Sequence, residues 1–208
     1  MADAAPTLGT LHDLAPCWSC KGPVSARAPF CHACGAIQPP RALDHFSRLN
    51  LPVAFDLDTA AIEKQYFGLQ RYFHPDRFAA KSSRERALSL QHATNLNQAY
   101  EILKVPLKRA EYLLKLCGRE IDGEATISDP KLLMEAMEWR EELAEAADRA
   151  AVDAIIARAK RIFDAKIAAI AAAFAHDELE AAAKLATELR YFDKLIDEAR
   201  RQRARLGA

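Results

Sequence analysis

Glycine is scarce in this 208-residue chain, with seven in all, and no stretch alternates valine, isoleucine or threonine with polar residues. Both absences argue against a sheet as the main architecture. An excess of one charge is also missing: 29 basic side chains face 29 acidic ones, a formal net charge of zero. Bulk electrostatics therefore supply no pull toward nucleic acid or an anionic membrane. No apolar run is long enough to span a bilayer; the best, Ile167 to Ala175, is short and rich in alanine. The first residues carry Asp3 and Asp13 without a basic leader, unlike a secretory signal or an arginine-rich transit peptide, so a soluble cytoplasmic protein is expected. What is present is half apolar, with Ala, Leu, Glu, Lys and Arg dominant, the composition of a mainly helical protein. The length supports one good core or two modest ones.

Four of the five cysteines fall in two C-x-x-C pairs, Cys17-Trp18-Ser19-Cys20 and Cys31-His32-Ala33-Cys34. Gly35 follows the second pair and suits the tight turn beneath a metal-bound thiolate. Paired knuckles in a reducing compartment read as a tetrahedral structural zinc site with ligands Cys17, Cys20, Cys31 and Cys34. Four thiolates leave no open position for a bound water, which excludes a hydrolytic zinc. Disulfides, a rubredoxin-like iron centre and a thiol redox switch are the alternatives, the first disfavoured by a reducing cytosol. His12 and His32 are substitute ligands in principle and surface residues by default. Six of the ten prolines lie between Pro6 and Pro40, with little helical pattern. That segment is expected to lack a sizeable apolar core and to fold around its metal. Cys117 is left over, expected as a small apolar side chain on a helix face.

A second landmark is Tyr72-Phe73-His74-Pro75-Asp76-Arg77-Phe78. Pro75 lacks an N–H and disfavours helical geometry at His74, so a helix ends here. No nucleophile or glycine-rich phosphate loop sits beside the imidazole and carboxylate, which argues against an enzyme. Upstream, Asp58-Thr59 offer N-cap chemistry, and Ile62, Tyr66, Leu69 and Phe73 make a helical stripe. Downstream, Ser82 and Glu85 form a capping box ahead of Ala93, Leu96, Ala99, Tyr100 and Leu103. An earlier short helix, Asp44 to Leu49, stops at Leu51-Pro52, with Phe46 and Leu49 facing the pair. Past Gly118, Asp122-Gly123 signal a turn and Asp129-Pro130 a helix start. Three helices are expected, at about 130–147, 149–175 and 177–205. Their stripes are Leu132, Ala136, Trp139 and Leu143; then Ile156, Phe163, Ile167, Ile170 and Phe174; then Leu185, Leu189, Phe192 and Ile196. These would meet in an antiparallel three-helix bundle. Leu133, Met137 and Tyr191 fall off the stripes, pointing to an exposed apolar patch rimmed by Arg140, Glu141 and Glu142, or to a widened core.

Two helices joined over a His-Pro-Asp turn, followed by Asn97-Gln98-Ala99-Tyr100-Glu101-Ile102-Leu103 and Pro106-Leu107-Lys108-Arg109-Ala110-Glu111-Tyr112, resemble a J-domain from Asp44 to about Cys117. The resemblance implies contact with an ATPase chaperone of the DnaK/HscA class through His74, Pro75 and Asp76, supported by Arg71 and Lys64. Gln65 and Gln70 stand where lysines are expected, which fits a dedicated partner better than a promiscuous one; a merely solvated helix face is the alternative for Lys64 and Arg71. The segments Leu132-Leu133-Met134-Glu135, Trp139-Arg140-Glu141-Glu142-Leu143, Phe163-Asp164 and Leu189-Arg190-Tyr191-Phe192-Asp193-Lys194-Leu195 extend the likeness to the HscB family, J-type co-chaperones of iron–sulfur cluster assembly. That family binds an IscU-type cluster scaffold through an apolar patch, here matched by Leu133, Met137 and Tyr191 beside Arg140 and Glu141. The metal module is an extension that some members carry, notably mitochondrial ones, so a eukaryotic origin would place the protein in the mitochondrial matrix.

The expected organisation is a four-cysteine zinc module and linker over 1–43, a J-domain over 44–118, a linker over 119–128 and a scaffold-binding three-helix bundle over 129–208. Two other classes stay open. One is a nucleic-acid-binding zinc protein, suggested by the cysteines and by Arg200, Arg201, Arg203 and Arg205, which equally suit a helix C-terminal dipole. The other is a redox-regulated chaperone holdase that releases zinc on oxidation.

Overall fold

A computed structural model describes residues 14–25, 28–119, 121 and 130–206. His12, the expected turn at Asp122-Gly123 and Asp129 lie outside the described residues. The chain is mainly helical, as its composition implies. Among the described residues, beta structure is limited to a two-stranded antiparallel ribbon, β1 (Leu14–Pro16) with β2 (Pro23–Ser25), and one isolated bridge between Phe30 and Ile37. Seven α-helices follow among those residues: α1 (His45–Arg48), α2 (Thr59–Phe73), α3 (Ser83–Leu103), α4 (Pro106–Leu116), α5 (Pro130–Glu145), α6 (Arg149–Ala175) and α7 (Leu179–Arg205). The described residues divide into two compact units. One holds the ribbon, α1, α2 and α3 as far as Glu101; the other holds Val53–Asp58 and the chain from Ile102 onward. The expected J-domain span is thus shared between them, with α4 in the unit of α5, α6 and α7.

In the first unit, Asp44 caps α1 by accepting from the Ser47 N–H at 2.9 Å, which sets Phe46 and Leu49 into the core, both fully buried. α2 and α3 run antiparallel. Tyr66 pairs with Asn97 and Tyr100, while Phe73 pairs with His92 and Ser89, so partner numbers fall on α3 as they rise on α2. The Tyr66 hydroxyl donates to Asn97 Oδ1 at 2.8 Å, and its ring stacks on Tyr100 with centroids 4.2 Å apart. The capping box at the start of α3 forms as expected. The Ser82 N–H donates to Glu85 Oε2 at 3.1 Å and the Glu85 N–H to Ser82 Oγ at 3.3 Å.

The second unit builds its bundle from three paired helices. Asp153 pairs with Arg203 and Lys166 with Glu188, so α6 and α7 are antiparallel. The Tyr191 hydroxyl donates to the Ala136 carbonyl and Gln202 to that of Leu143, so α5 runs parallel to α7. α4 joins through an Arg190–Glu111 ion pair. The Phe55 ring stacks on Phe174 and lies against the buried Arg109 guanidinium, which donates to the Leu103 carbonyl at 2.7 Å.

The α5 stripe is the expected one. On α6 Ile170 is buried as expected, together with Val152, Ile155, Ala159 and Ala173, while Ile156 and Phe163 are only partly buried against the core. On α7 alanines at 182, 186 and 199 join Leu189, Phe192, Leu195 and Ile196, while Leu185 is only half-buried. Alanine adds little to a hydrophobic pattern but lets two helix backbones approach closely, so the contact is centred where side chains are small. Cys117 also departs from expectation: it ends α4 as an exposed capping residue instead of lying on an apolar face.

The close α6–α7 approach leaves no room for growth. Ala186→Leu is expected to lower the unfolding free energy by about 1–3 kcal/mol, against about 0.5 kcal/mol or less for Ala181→Leu on the exposed face. Urea titration followed by circular dichroism measures both.

Candidate functional site

Two C-x-x-C knuckles form the first site, and their backbones repeat one another. The Cys17 N–H donates to the Gly22 carbonyl and the Lys21 N–H to that of Cys17; the Cys31 N–H donates to Ala36 and the Gly35 N–H to Cys31. The residue four past each leading cysteine, Lys21 or Gly35, has positive φ, 63° and 72° respectively. Glycine takes that geometry without strain, whereas Lys21 carries a small cost for it. The result aims four sulfurs at one point, all within 4.8 Å of each other.

Cys17 Sγ lies 3.7 Å from Cys34 Sγ, and Cys20 Sγ 3.8 Å from Cys31 Sγ. A disulfide needs about 2 Å. A tetrahedron with metal–sulfur bonds of about 2.3 Å has edges of about 3.8 Å, so the sulfurs stand where a tetrahedral metal would hold them. Their proton affinities lead to the same conclusion. The Cys20 backbone N–H, with those of Ser19 and the side chain of Gln38, holds the Cys17 thiol down to about 6 against its burial. For Cys20 the Gly22 N–H favours the thiolate, but the sulfur of Cys34, burial and the sulfurs of Cys31 and Cys17 outweigh it and push it up to about 11. Four sulfurs this close cannot all ionise without a cation among them. The donor set therefore fits a thiophilic ion, held by Cys17, Cys20, Cys31 and Cys34. His32 is exposed and outside the cluster.

Around the sulfurs the buried set is small: Cys17, Val24, Cys31 and Ala36, with Trp18 and Ala28 packed beside them. The module is nonetheless fixed to the helices of its unit. His92 of α3 donates from Nε2 to the Gln38 carbonyl at 2.9 Å. Phe73 stacks on Phe30 and on His92, with centroids 5.6 Å and 4.4 Å apart. Arg84 lies over the Trp18 ring at 4.4 Å. None of Phe30, Gln38 or His92 stands out in the sequence, because no local period links positions this far apart. Phe30, an aromatic directly before the second knuckle, is the one hint.

The second site starts one residue after Phe73. Pro75–Phe78 form a single 3₁₀ turn, with Phe78 buried beneath it. His74, in extended geometry (φ −60°, ψ 129°), accepts the Asp76 N–H at Nδ1, 3.3 Å away. Its Nδ1 stands 3.6 Å from Asp76 Oδ2, and both side chains are largely exposed. Arg77 reaches back to the Arg71 carbonyl at 2.9 Å. Lys64 and Arg71 are exposed on α2, the same helix that leads into the turn. The turn thus presents an imidazole and a carboxylate side by side to solvent.

The third candidate, on α5 and α7, differs in part from expectation. Leu133 and Met137 are 43% and 60% exposed, and Met134 beside them is 65% exposed. For Tyr191 an exposed patch and a widened core were both open, and the structure shows the second. Its ring is buried in the core of the unit, meeting Phe192 edge-on, with its hydroxyl on the Ala136 carbonyl. The reason is that α5 crosses above it, which a wheel drawn for α7 alone does not include. Arg140 and Glu141 are exposed, the Arg140 guanidinium 5.6 Å from the Tyr191 ring centroid.

A helical hairpin closed by an exposed His-Pro-Asp turn, with a separate three-helix bundle, defines a J-domain co-chaperone. A family model described as the HSCB C-terminal oligomerisation domain matches residues 128–200. The crystal structure of human co-chaperone protein HscB is 36% identical, superposes with a TM-score of 0.84, and covers 89% of this chain and 97% of its own. Chaperone HscB from Vibrio cholerae is 38% identical at a TM-score of 0.69, covering 79% and 99%. The Jac1 co-chaperone from Saccharomyces cerevisiae is 26% identical at 0.60, covering 72% and 86%. The chain belongs to the HscB family of co-chaperones.

Burial of His92 leads to a pH dependence. Loss of water lowers its pKa below the ordinary 6.5, more than its bond to the Gln38 carbonyl raises it. The unfolded chain then binds the proton more tightly, so this contribution is whole above pH 6.5 and is lost as pH falls through the depressed folded value. The urea midpoint read from Trp18 fluorescence in a Trp139→Phe background is expected to fall between about pH 7.5 and about pH 5.5. His92→Phe should shrink that fall; an unchanged fall would assign it to other groups.

Proposed function

We propose that the protein is an adaptor of iron–sulfur cluster assembly. The His74-Pro75-Asp76 turn, with Arg71 and Lys64, engages a DnaK/HscA-class chaperone and stimulates its ATP hydrolysis. The bundle binds an IscU-type cluster scaffold, and the chain itself performs no catalysis. The observation that carries this reading is the exposed His74–Asp76 pair on a proline-fixed turn, its polar groups turned to solvent. On α5, the solvent-facing Leu133 and Met137, with Met134, supply an apolar contact edged by Arg140 and Glu141. Tyr191 supports that contact from beneath, holding α5 through the Ala136 carbonyl. Two modest contacts on one chain raise the effective concentration of client and motor for each other.

In this reading the metal module and linker span 1–43, the J-domain 44–118, a linker 119–128 and the scaffold-binding bundle 129–208. Zinc is the proposed ion, since four thiolates suit it and a closed tetrahedral site needs no redox change. The working compartment is the cytoplasm, or the mitochondrial matrix in a eukaryote; among the described residues no helix is long and apolar enough to cross a membrane.

His74→Gln is expected to bring chaperone ATPase stimulation to baseline while scaffold affinity stays within about twofold; Leu133→Ala with Met137→Ala should weaken scaffold binding by about 10-fold to 100-fold and leave stimulation by scaffold-free protein intact. Single-turnover hydrolysis and calorimetric titration separate the two. Loss of both activities in both folded variants would refute the division. Metal analysis of purified protein should find one zinc per chain, and Cys31→Ser should lose it. A full complement of iron in its place would refute the zinc assignment.

A further inference from the structure

The metal module touches the helices that carry the His-Pro-Asp turn at residues bordering the turn itself. Gln38 is buried and polar, and its side-chain nitrogen, backbone N–H and backbone carbonyl are all engaged. Its side-chain amide donates to Cys17 Sγ at 3.4 Å and to the Ala36 carbonyl at 2.8 Å, its backbone N–H donates to the Pro29 carbonyl, and its own carbonyl accepts from His92. A buried amide with this many partners is held in one place, here a place set by a metal-ligating sulfur. His92 then stacks on Phe73 with the ring planes 8° apart, and Phe30, from the module, stacks on the same ring at 7°. Phe73 is the last residue of α2, and its carbonyl accepts from Ser89 Oγ at 2.7 Å. Of the three groups that fix Phe73, Phe30 belongs to the module and His92 is tied to it.

The next residue is His74. Pro75 has its φ locked by its ring, so only the two torsions of His74 lie between an anchored Phe73 and a stiff turn. Orientation imposed at Phe73 is therefore passed to His74 and Asp76 with little slack. Arg84 over Trp18 adds a second attachment, on the first turn of the helix that leaves the loop. The module thus holds both the helix that enters the turn and the helix that follows it. Its own buried set is too small to keep Phe30 and Gln38 in place without the ion.

We propose that the four-cysteine module is a positioning element for the His74-Pro75-Asp76 turn, with Phe30, Gln38 and His92 as the positioning residues. Metal occupancy then sets how much of the population presents the turn ready to dock. This rests on reading that turn as the chaperone contact. A turn that is competent only part of the time weakens apparent affinity in proportion, without altering the bound complex.

The test uses the full chain, zinc-loaded, as wild type, Phe30→Ala and Phe30→Tyr. Amide exchange is followed at Arg77, Ala79 and Lys81, whose N–H groups are bonded within the turn to His74, Asp76 and Phe78. Phe30→Ala should retain its zinc and exchange about threefold to tenfold faster at those three amides, the factor one aromatic pair carries. Amides of α5, α6 and α7 should be unaffected. The concentration for half-maximal ATPase stimulation should rise by a similar factor at an unchanged maximum, and Phe30→Tyr should restore both. Chelation of wild type should reproduce the effect. Should Phe30→Ala lose its zinc, His92→Leu, which leaves the module's own residues intact, has the same expected result. Unchanged exchange at the three amides in a zinc-retaining variant would overturn the proposal. Faster exchange in a protein whose wild type stimulates no chaperone would keep the brace and remove the functional reading instead.

Discussion

Pro75 is the constraint on which the rest of the first unit depends. It has no N–H to continue α2, and its ring keeps His74 out of helical geometry, as the observed ψ of 129° at His74 records. The helix therefore ends with Phe73 inward and His74 outward, one residue apart. The inward residue belongs to the core and to the metal module; the outward one starts the exposed turn. A chain without the proline would run on as helix, and the imidazole and carboxylate would fall on different sides of it.

The two units are stabilised in different ways. The bundle unit relies on helix packing, with buried alanines bringing α6 and α7 together and Tyr191 fastening α5 by a hydroxyl. The first unit has less apolar surface per residue near its N-terminus and replaces it with four sulfurs, an amide relay and stacked rings. Such contacts are directional, as the proposed bracing of one turn in one orientation requires. Packing of the bundle kind tolerates more variation and leaves α5 free to present Leu133, Met134 and Met137.

Much of this was legible in the residues themselves. The proline, the Ser82–Glu85 capping box and the four cysteines carry local chemistry, so their structural consequences follow without tertiary knowledge. The expected limits of 149–175 match α6, whose start Asp148 caps by accepting from the Ala151 N–H. The buried face of α6 was legible only in part: Ile170 lies on it and Ile156 and Phe163 pack at its edge, but Ala159 and Ala173 were passed over, although small residues decide where two backbones meet. Burial of Tyr191 depends on the path of α5, and docking of the metal module on a contact between Gln38 and His92, 54 positions apart. Neither leaves a periodic trace. The family likeness supplied the functional reading that no single residue pattern contains.

The proposed adaptor function requires that both contacts be made by one molecule. The direct measurement is single-turnover ATP hydrolysis by a DnaK/HscA-class chaperone in the presence of cluster scaffold, at concentrations below self-association. The intact chain is compared with an equimolar mixture of its His74→Gln variant and its Leu133→Ala, Met137→Ala variant. Tethering predicts strong stimulation by the intact chain and little beyond that of the second variant alone from the mixture. Equal stimulation by the two would contradict it.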